Sequence, residues 1–146
     1  MKITIGSDHG AVALKDEVKK VLAEFDVEVK DVGTFGTESV DYPDIAEKVC
    51  ADVVCGDAER GIVLCGTGIG ISIAANKIKG IRCALCGDVY SAKMSREHNN
   101  ANVLAMGGRV LGFGLEGEIG RAWMTTDFAG GRHERRINKI AALENK

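Results

Sequence analysis

Gly61-Ile62-Val63-Leu64-Cys65-Gly66-Thr67-Gly68-Ile69-Gly70 is the stretch whose reading decides the fold. Four residues without charge read as a short buried strand that runs into a thiol. Glycines at 66, 68 and 70 then let successive backbone N–H groups turn toward one point, and a helical pattern follows. A junction of this kind holds an anion and sets a nucleophile or base beside it. A tight turn that needs positive φ is the plainer reading of the same residues. The run is not the dinucleotide fingerprint G-x-G-x-x-G, and it lacks the Lys-Ser/Thr of a P-loop.

Outward from this junction the strand-then-helix order repeats. Strands are expected at 2–7, 27–32, 62–65, 81–86 and 103–106. Leu14, Val18, Val21, Leu22 and Phe25 follow helical spacing between the first two. Pro43 suits the first turn of a helix with Ala46, Val49, Cys50 and Val53 on its buried face and a stop at Gly56. Further helices are expected at 72–77, 90–98, around Leu115, Ile119, Ala122 and Trp123, and from Arg132 to Leu143 after the Gly130-Gly131 break. Near-continuous apolar strands alternating with helices predict an α/β fold: an open parallel sheet of about five strands, covered on both faces. Residues 1–146 are expected to form one domain, with no linker, repeat or low-complexity tract dividing them.

Composition narrows the function classes. Nineteen glycines in 146 residues are roughly twice the average share, as tight strand-to-helix turns require. The net charge of −2, from 19 basic and 21 acidic residues, speaks against broad binding to nucleic acid or anionic membrane. No apolar run approaches the ~18 residues of a membrane span, and the N-terminus has no signal-peptide core, so a cytoplasmic protein is expected. Five cysteines without a signal peptide read as free thiols. Cys83 and Cys86 form a C-x-x-C, but three residues apart on a strand they point to opposite faces and read as buried small hydrophobes. Neither a second C-x-x-C nor a histidine pair at ligand spacing supports zinc.

Ligands of open α/β sheets bind outside the carboxyl ends of the strands. That rule selects Asp8 and His9, the run Cys65 to Gly70, and Arg109. Asp8 reads equally as a helix N-cap and Cys65 as a core thiol, although a thiol beside a glycine-rich helix start is favoured as thiolate. His98 ends a helical stretch, where it serves either a dipole contact or proton transfer. Arg132 and Arg136, four apart, share one helix face that is either solvated or a fork for phosphate.

Taken together, Gly6-Ser7-Asp8-His9-Gly10, Asp41-Tyr42-Pro43, the run from Cys65 to Lys77, Ser95-Arg96-Glu97-His98-Asn99 and Gly130-Gly131-Arg132-His133 resemble a known family. It is the sugar-phosphate isomerase family of ribose-5-phosphate isomerase B and the galactose-6-phosphate isomerase subunits, and the match spans nearly the whole chain. The resemblance implies a Rossmann-like sheet and an aldose–ketose isomerase, without metal or cofactor, that interconverts ribose 5-phosphate and ribulose 5-phosphate. It implies a homodimer or homotetramer with sites between subunits and a last helix reaching to the partner. By position, Cys65 matches the catalytic base, His98 the group that helps open the furanose, and Gly66, Thr67, Gly68, Ile69 and Gly70 the loop that holds the enediolate. Thr67 is a further catalytic candidate. Asp8, His9, Tyr42 and Asn99 match sugar contacts, and Arg109, Arg132 and Arg136 match the phosphate grip. Some members carry a glutamate where this chain has Ile71, so the thiol version is indicated. The same chemistry on galactose 6-phosphate or allose 6-phosphate, and a non-catalytic sugar-phosphate or nucleotide binding module, are the alternatives.

Overall fold

The computed structural model describes residues Met1–Lys146. Five parallel strands, β1 (Lys2–Ser7), β2 (Glu28–Asp31), β3 (Arg60–Cys65), β4 (Cys83–Leu85) and β5 (Val103–Gly107), form one open sheet in the order β2-β1-β3-β5-β4. The helices are α1 (Val12–Leu22), α2 (Tyr42–Cys55), α3 (Ile69–Asn76), α4 (Val89–Glu97), α5 (Leu115–Thr125) and α6 (Arg132–Leu143).

Side chains alternate across β3 and divide the core in two. Ile62 and Leu64 join Ile3, Ile5, Leu104 and Met106 under α1, α4 and α5. Val63 and Cys65 join Val103 and Ala105 under α2 and α3. Strands β3 and β5 are therefore apolar on both faces, as a covered parallel sheet requires, whereas β1 turns Ile3 and Ile5 to one core and the small residues Thr4 and Gly6 to α2.

Most element boundaries agree with the sequence within a few residues, and the differences have local causes. The last helix has the expected bounds. α3 starts three residues early because Thr67 Oγ1 accepts the Ile69 N–H at 3.1 Å. β4 shrinks to three residues at the sheet edge, where the Asn76 side chain stands in for a neighbouring strand. It takes the Cys83 N–H at 2.8 Å and donates to the Cys83 carbonyl at 2.9 Å, which blunts an open edge. Gly56 ends α2 in the left-handed conformation, with φ +88°.

One buried cation ties α1 to the end of β2. Lys15 is fully buried, pairs with Asp31 at 2.9 Å, donates to the Thr34 carbonyl at 2.6 Å and lies 4.2 Å from the centre of the Phe35 ring. Lys19 also pairs with Asp31, at 3.1 Å. Burial raises the Asp31 pKa, but hydrogen bonds from Lys15, Gly33 and Lys19 outweigh it and hold the carboxyl below its ordinary value. A depressed carboxylate pKa adds stability that is present above the unfolded value and lost as pH falls through the folded one. Asp31→Asn leaves Lys15 buried without its counter-charge. Urea unfolding at pH 7 is expected to show a loss of about 3 kcal/mol, and the gap to wild type should close as acid protonates Asp31.

Candidate active site

Three loops meet at the carboxyl edge of the sheet, after β1, β3 and β5, and interlock through their backbones. The Asp8 N–H donates to Leu64 O at 3.0 Å, Gly108 to Cys65 O at 2.9 Å, and Arg109 to Gly66 O at 2.8 Å. No side chain fits where the loops cross. A Cβ on Gly107 would stand 2.5 Å from the carbonyl carbon and oxygen of Thr67. Gly68 has φ +78°, and a Cβ there would stand 2.6 Å from Leu85 Cδ1 and 2.8 Å from the Met106 carbonyl carbon.

Cys65 is held inside this frame, only 4% exposed, and its Sγ accepts the Gly68 N–H at 3.2 Å. Thr67 is exposed beside it, and with Oγ1 occupied by the Ile69 N–H its own O–H remains a donor. The N–H groups of Gly66, Thr67 and Gly70 have no acceptor within the chain, so they too are available to a ligand oxygen.

The neighbouring loops add polar groups at the same edge. Asp8 does cap the short 3-10 turn His9–Ala11, accepting the Gly10 N–H at 2.8 Å. His9 Nδ1 accepts the Val40 N–H at 3.2 Å, which leaves the neutral ring's proton on Nε2 as a donor. The Tyr42 ring lies on Gly70, whose Cβ would come within 2.6 Å of it. The Arg109 guanidinium lies over Gly66, where a Cβ would be 3.3 Å from Nη1. Asp8, His9, Tyr42, Cys65 to Gly70 and Arg109 are therefore gathered in one place.

His98, Asn99, Arg132 and Arg136 are gathered elsewhere. A crossover helix runs back against its strands, so the end of α4 returns to the amino edge of the sheet. Gly61, near the start of β3, donates to Asn102 O, and Asn102 Oδ1 accepts the N–H of Arg82 just before β4. α6 begins beside this turn and lies along the same edge. Its far end meets the α3–β4 turn, where Gly80 N–H donates to Glu144 Oε1 at 3.0 Å. Within one chain the two groups are thus separated by the length of β5, roughly 15 Å at 3.3 Å per residue. The His98 ring stacks on His133, with centroids 4.2 Å apart and planes 9° from parallel. Partial desolvation, together with His98, Arg132 and Arg136, holds the His133 imidazole below its ordinary pKa.

With this geometry in place, comparison with known proteins is decisive. The family model described as Ribose/Galactose Isomerase matches residues 3–140. The chain belongs to this family. Ribose-5-phosphate isomerase B of Escherichia coli is 48% identical over 145 residues, covering 99% of this chain and 97% of that one. The structure of Clostridium thermocellum ribose-5-phosphate isomerase B superposes with a TM-score of 0.97 at 54% identity, covering 99% of this chain and 98% of the other. Ribose-5-phosphate isomerase B of Mycoplasma genitalium, solved with bound ribulose 5-phosphate, gives a TM-score of 0.93 at 37% identity, covering 99% and 97%.

The remaining thiols of this family member sit apart from that chemistry. Cys83 packs on the α2/α3 side of the sheet and Cys86 on the other, as their spacing on a strand requires. Burial pushes the Cys50 thiol up to about 12 and the Cys86 thiol up to about 11, and it raises Cys83 as well. A possible metal grouping, Asp52, Cys55 and Asp57, has ligand atoms within 4.8 Å of one another. It lies at the amino edge, and Asp52 is already engaged by Lys30 at 3.0 Å and Thr4 at 2.8 Å. No helix is long and apolar enough to cross a membrane. Sequence reading missed His133 as a partner of His98. Its place in the Gly130-Gly131-Arg132-His133 run was visible, but the stacking depends on α6 folding back to α4.

Gly107→Ala tests the interlocked loops. The added methyl meets backbone, so the variant is expected to lose about 1–3 kcal/mol in chemical denaturation and to displace the Thr67 loop, measured as loss of ligand binding.

Proposed function

We propose that the protein is a ribose-5-phosphate isomerase, residues 1–146 forming one catalytic domain that works as a homodimer. The observation that carries this reading is Cys65: a thiol fixed by the Gly68 N–H, beside unpaired loop N–H groups, at the carboxyl end of the central strand. The dimer follows from separation. Cys65 with Asp8 and His9 occupies one edge and His98 with Arg132 and Arg136 the other, so a complete site takes its second half from another copy, with α6 carrying the arginines across.

Ribose 5-phosphate enters largely as a furanose. His98 assists opening by giving a proton to the ring oxygen while the anomeric hydroxyl loses one, which frees the C1 aldehyde. The Cys65 thiolate then removes the C2 proton. Negative charge collects on O1, where the free N–H groups of Gly66, Thr67 and Gly70 meet it; a single donor of this kind is worth about 2.7–4 kcal/mol in comparable sites. A proton passes from O2 to O1, with the Thr67 hydroxyl beside both. Cys65 returns its proton to C1, and ribulose 5-phosphate results. Hydrogen moves within one molecule, so the balance needs no redox cofactor. Asp8, His9, Tyr42 and Asn99 hold the sugar hydroxyls. Arg109, Arg132 and Arg136 grip the phosphate and thereby fix C1 and C2 over the sulfur.

The test is conversion of ribose 5-phosphate to ribulose 5-phosphate in metal-free buffer. Wild type is expected to turn over, and Cys65→Ala to lose at least ~10²-fold in kcat with its fold intact by circular dichroism. Absence of turnover, or a Cys65→Ala variant as fast as wild type, would overturn the reading. Base, ring-opening histidine and all three arginines lie in one chain, which favours a self-sufficient enzyme over a hetero-oligomer subunit; kcat/KM is expected to be higher for ribose 5-phosphate than for galactose 6-phosphate or allose 6-phosphate, and the reverse order would favour the six-carbon alternative.

A further inference from the structure

His98 occupies the C-cap of α4, a place where helices ordinarily fray, yet ring opening needs its imidazole at a fixed height. The turn that follows it is unusual. Asn100 has φ +45° and is the one residue other than glycine in the left-handed region. Such a conformation persists where the surroundings over-determine it, and it is often found at functional sites.

Two arginines supply that determination. Arg82 Nε donates to Asn99 O at 3.1 Å and Asn100 O at 3.2 Å, and Arg82 Nη2 donates to Asn100 O at 2.9 Å. Arg96, itself buried, donates from Nη1 to Asn100 Oδ1 at 2.9 Å and to Ala101 O at 2.7 Å. Every side-chain hydrogen bond of these two residues ends on residues 99 to 101. Neither guanidinium is neutralised by a carboxylate in an ion pair, and burial together with the nearby Arg60 and Arg82 lowers the pKa of Arg96. Gathering cations in this way costs stability. A glycine at position 100 would reach the same φ without them. The turn itself therefore does not require the clamp; a fixed position for what the turn carries does.

We propose that Arg82, with Arg96 behind it, is a positioning residue for ring opening: it fixes the Asn99–Ala101 turn and so holds His98 and Asn99 opposite Cys65 of the partner subunit. The inference rests on the isomerase reading above and adds that the clamp serves one step of it. Arg82 also lines a cavity of about 610 Å³ under α6, as does Asn99, so a change at Arg82 has room to relax without disturbing the core.

The experiment separates ring opening from proton transfer. Ribose 5-phosphate must open before it reacts. Ribulose 5-phosphate has no furanose form, so exchange of its C1 hydrogen with deuterated solvent proceeds without ring opening, and at saturating substrate a weakened Asn99 contact shows in KM rather than in this rate. Arg82→Met is expected to lose roughly 10²-fold in kcat on ribose 5-phosphate, the effect of a misplacement of about 1 Å, while its C1 exchange rate on ribulose 5-phosphate stays within about twofold of wild type. Arg82→Lys, which keeps a donor, should recover part of the loss. Asn100→Ala, which removes the Arg96 contact and makes the left-handed turn costlier, provides the same comparison should Arg82→Met fail to fold. Equal losses in the two assays, or no loss in either, would overturn the proposal. A wild-type protein inactive in both would sink the isomerase reading and this inference with it.

Discussion

Backbone against backbone is the contact on which the rest of this molecule depends. Where the loops after β1, β3 and β5 cross, Gly107 faces the Thr67 carbonyl with no space for a methyl group, and three N–H···O bonds link the loops to one another. The parallel sheet brings these loops together because all its strands end at the same edge. Glycine then permits an approach that any side chain would prevent. Cys65 is fixed as a result: strand alternation turns it to the α2/α3 side, and Gly68, held left-handed, delivers its N–H to the sulfur.

The same topology imposes a cost. A parallel sheet returns each crossover helix to its starting edge, so the end of α4 and the whole of α6 lie away from Cys65. No loop movement within one chain closes a gap of roughly 15 Å without dismantling the turn that Arg82 and Arg96 hold. In the homodimer proposed above a second copy closes it, each chain offering its amino edge to the other's carboxyl edge under a two-fold axis. α6 suits that task. Its buried contact with its own chain is confined to Ile137, while Ile140 and Leu143 remain exposed along it.

How much of this was legible in the sequence depends on the distance over which each feature is decided. The strands and helices were readable because apolar spacing and glycine stops are local. Even so, β4 came out short because its pairing with the Asn76 side chain is not a periodic signal. Asp8, His9, Cys65 and Arg109 could be selected by the strand-end rule alone. His98, Arg132 and Arg136 stood as candidates with a plainer reading beside each, and the family resemblance decided between the two; Asn99 entered through the resemblance alone, since nothing local distinguishes a functional residue at a helix end from a capping one. The stacking of His133 on His98 and the grip of Arg82 on the Asn99–Asn100 carbonyls join separate elements, so spacing does not carry them. The separation of the two residue groups is a property of topology, visible only once strand order and helix direction are fixed.

The central claim is that a working site combines Cys65 of one chain with His98 of another. Mixing two inactive variants tests it most directly. Cys65→Ala and His98→Ala are each prepared, combined in equal amounts, dissociated and allowed to reassociate, and assayed with ribose 5-phosphate. Random two-fold pairing makes half the dimers mixed, and each mixed dimer has one intact site and one doubly defective site. The account predicts recovery of roughly a quarter of wild-type activity. A mixture no more active than its two components, with exchange of subunits verified by mass, would contradict it.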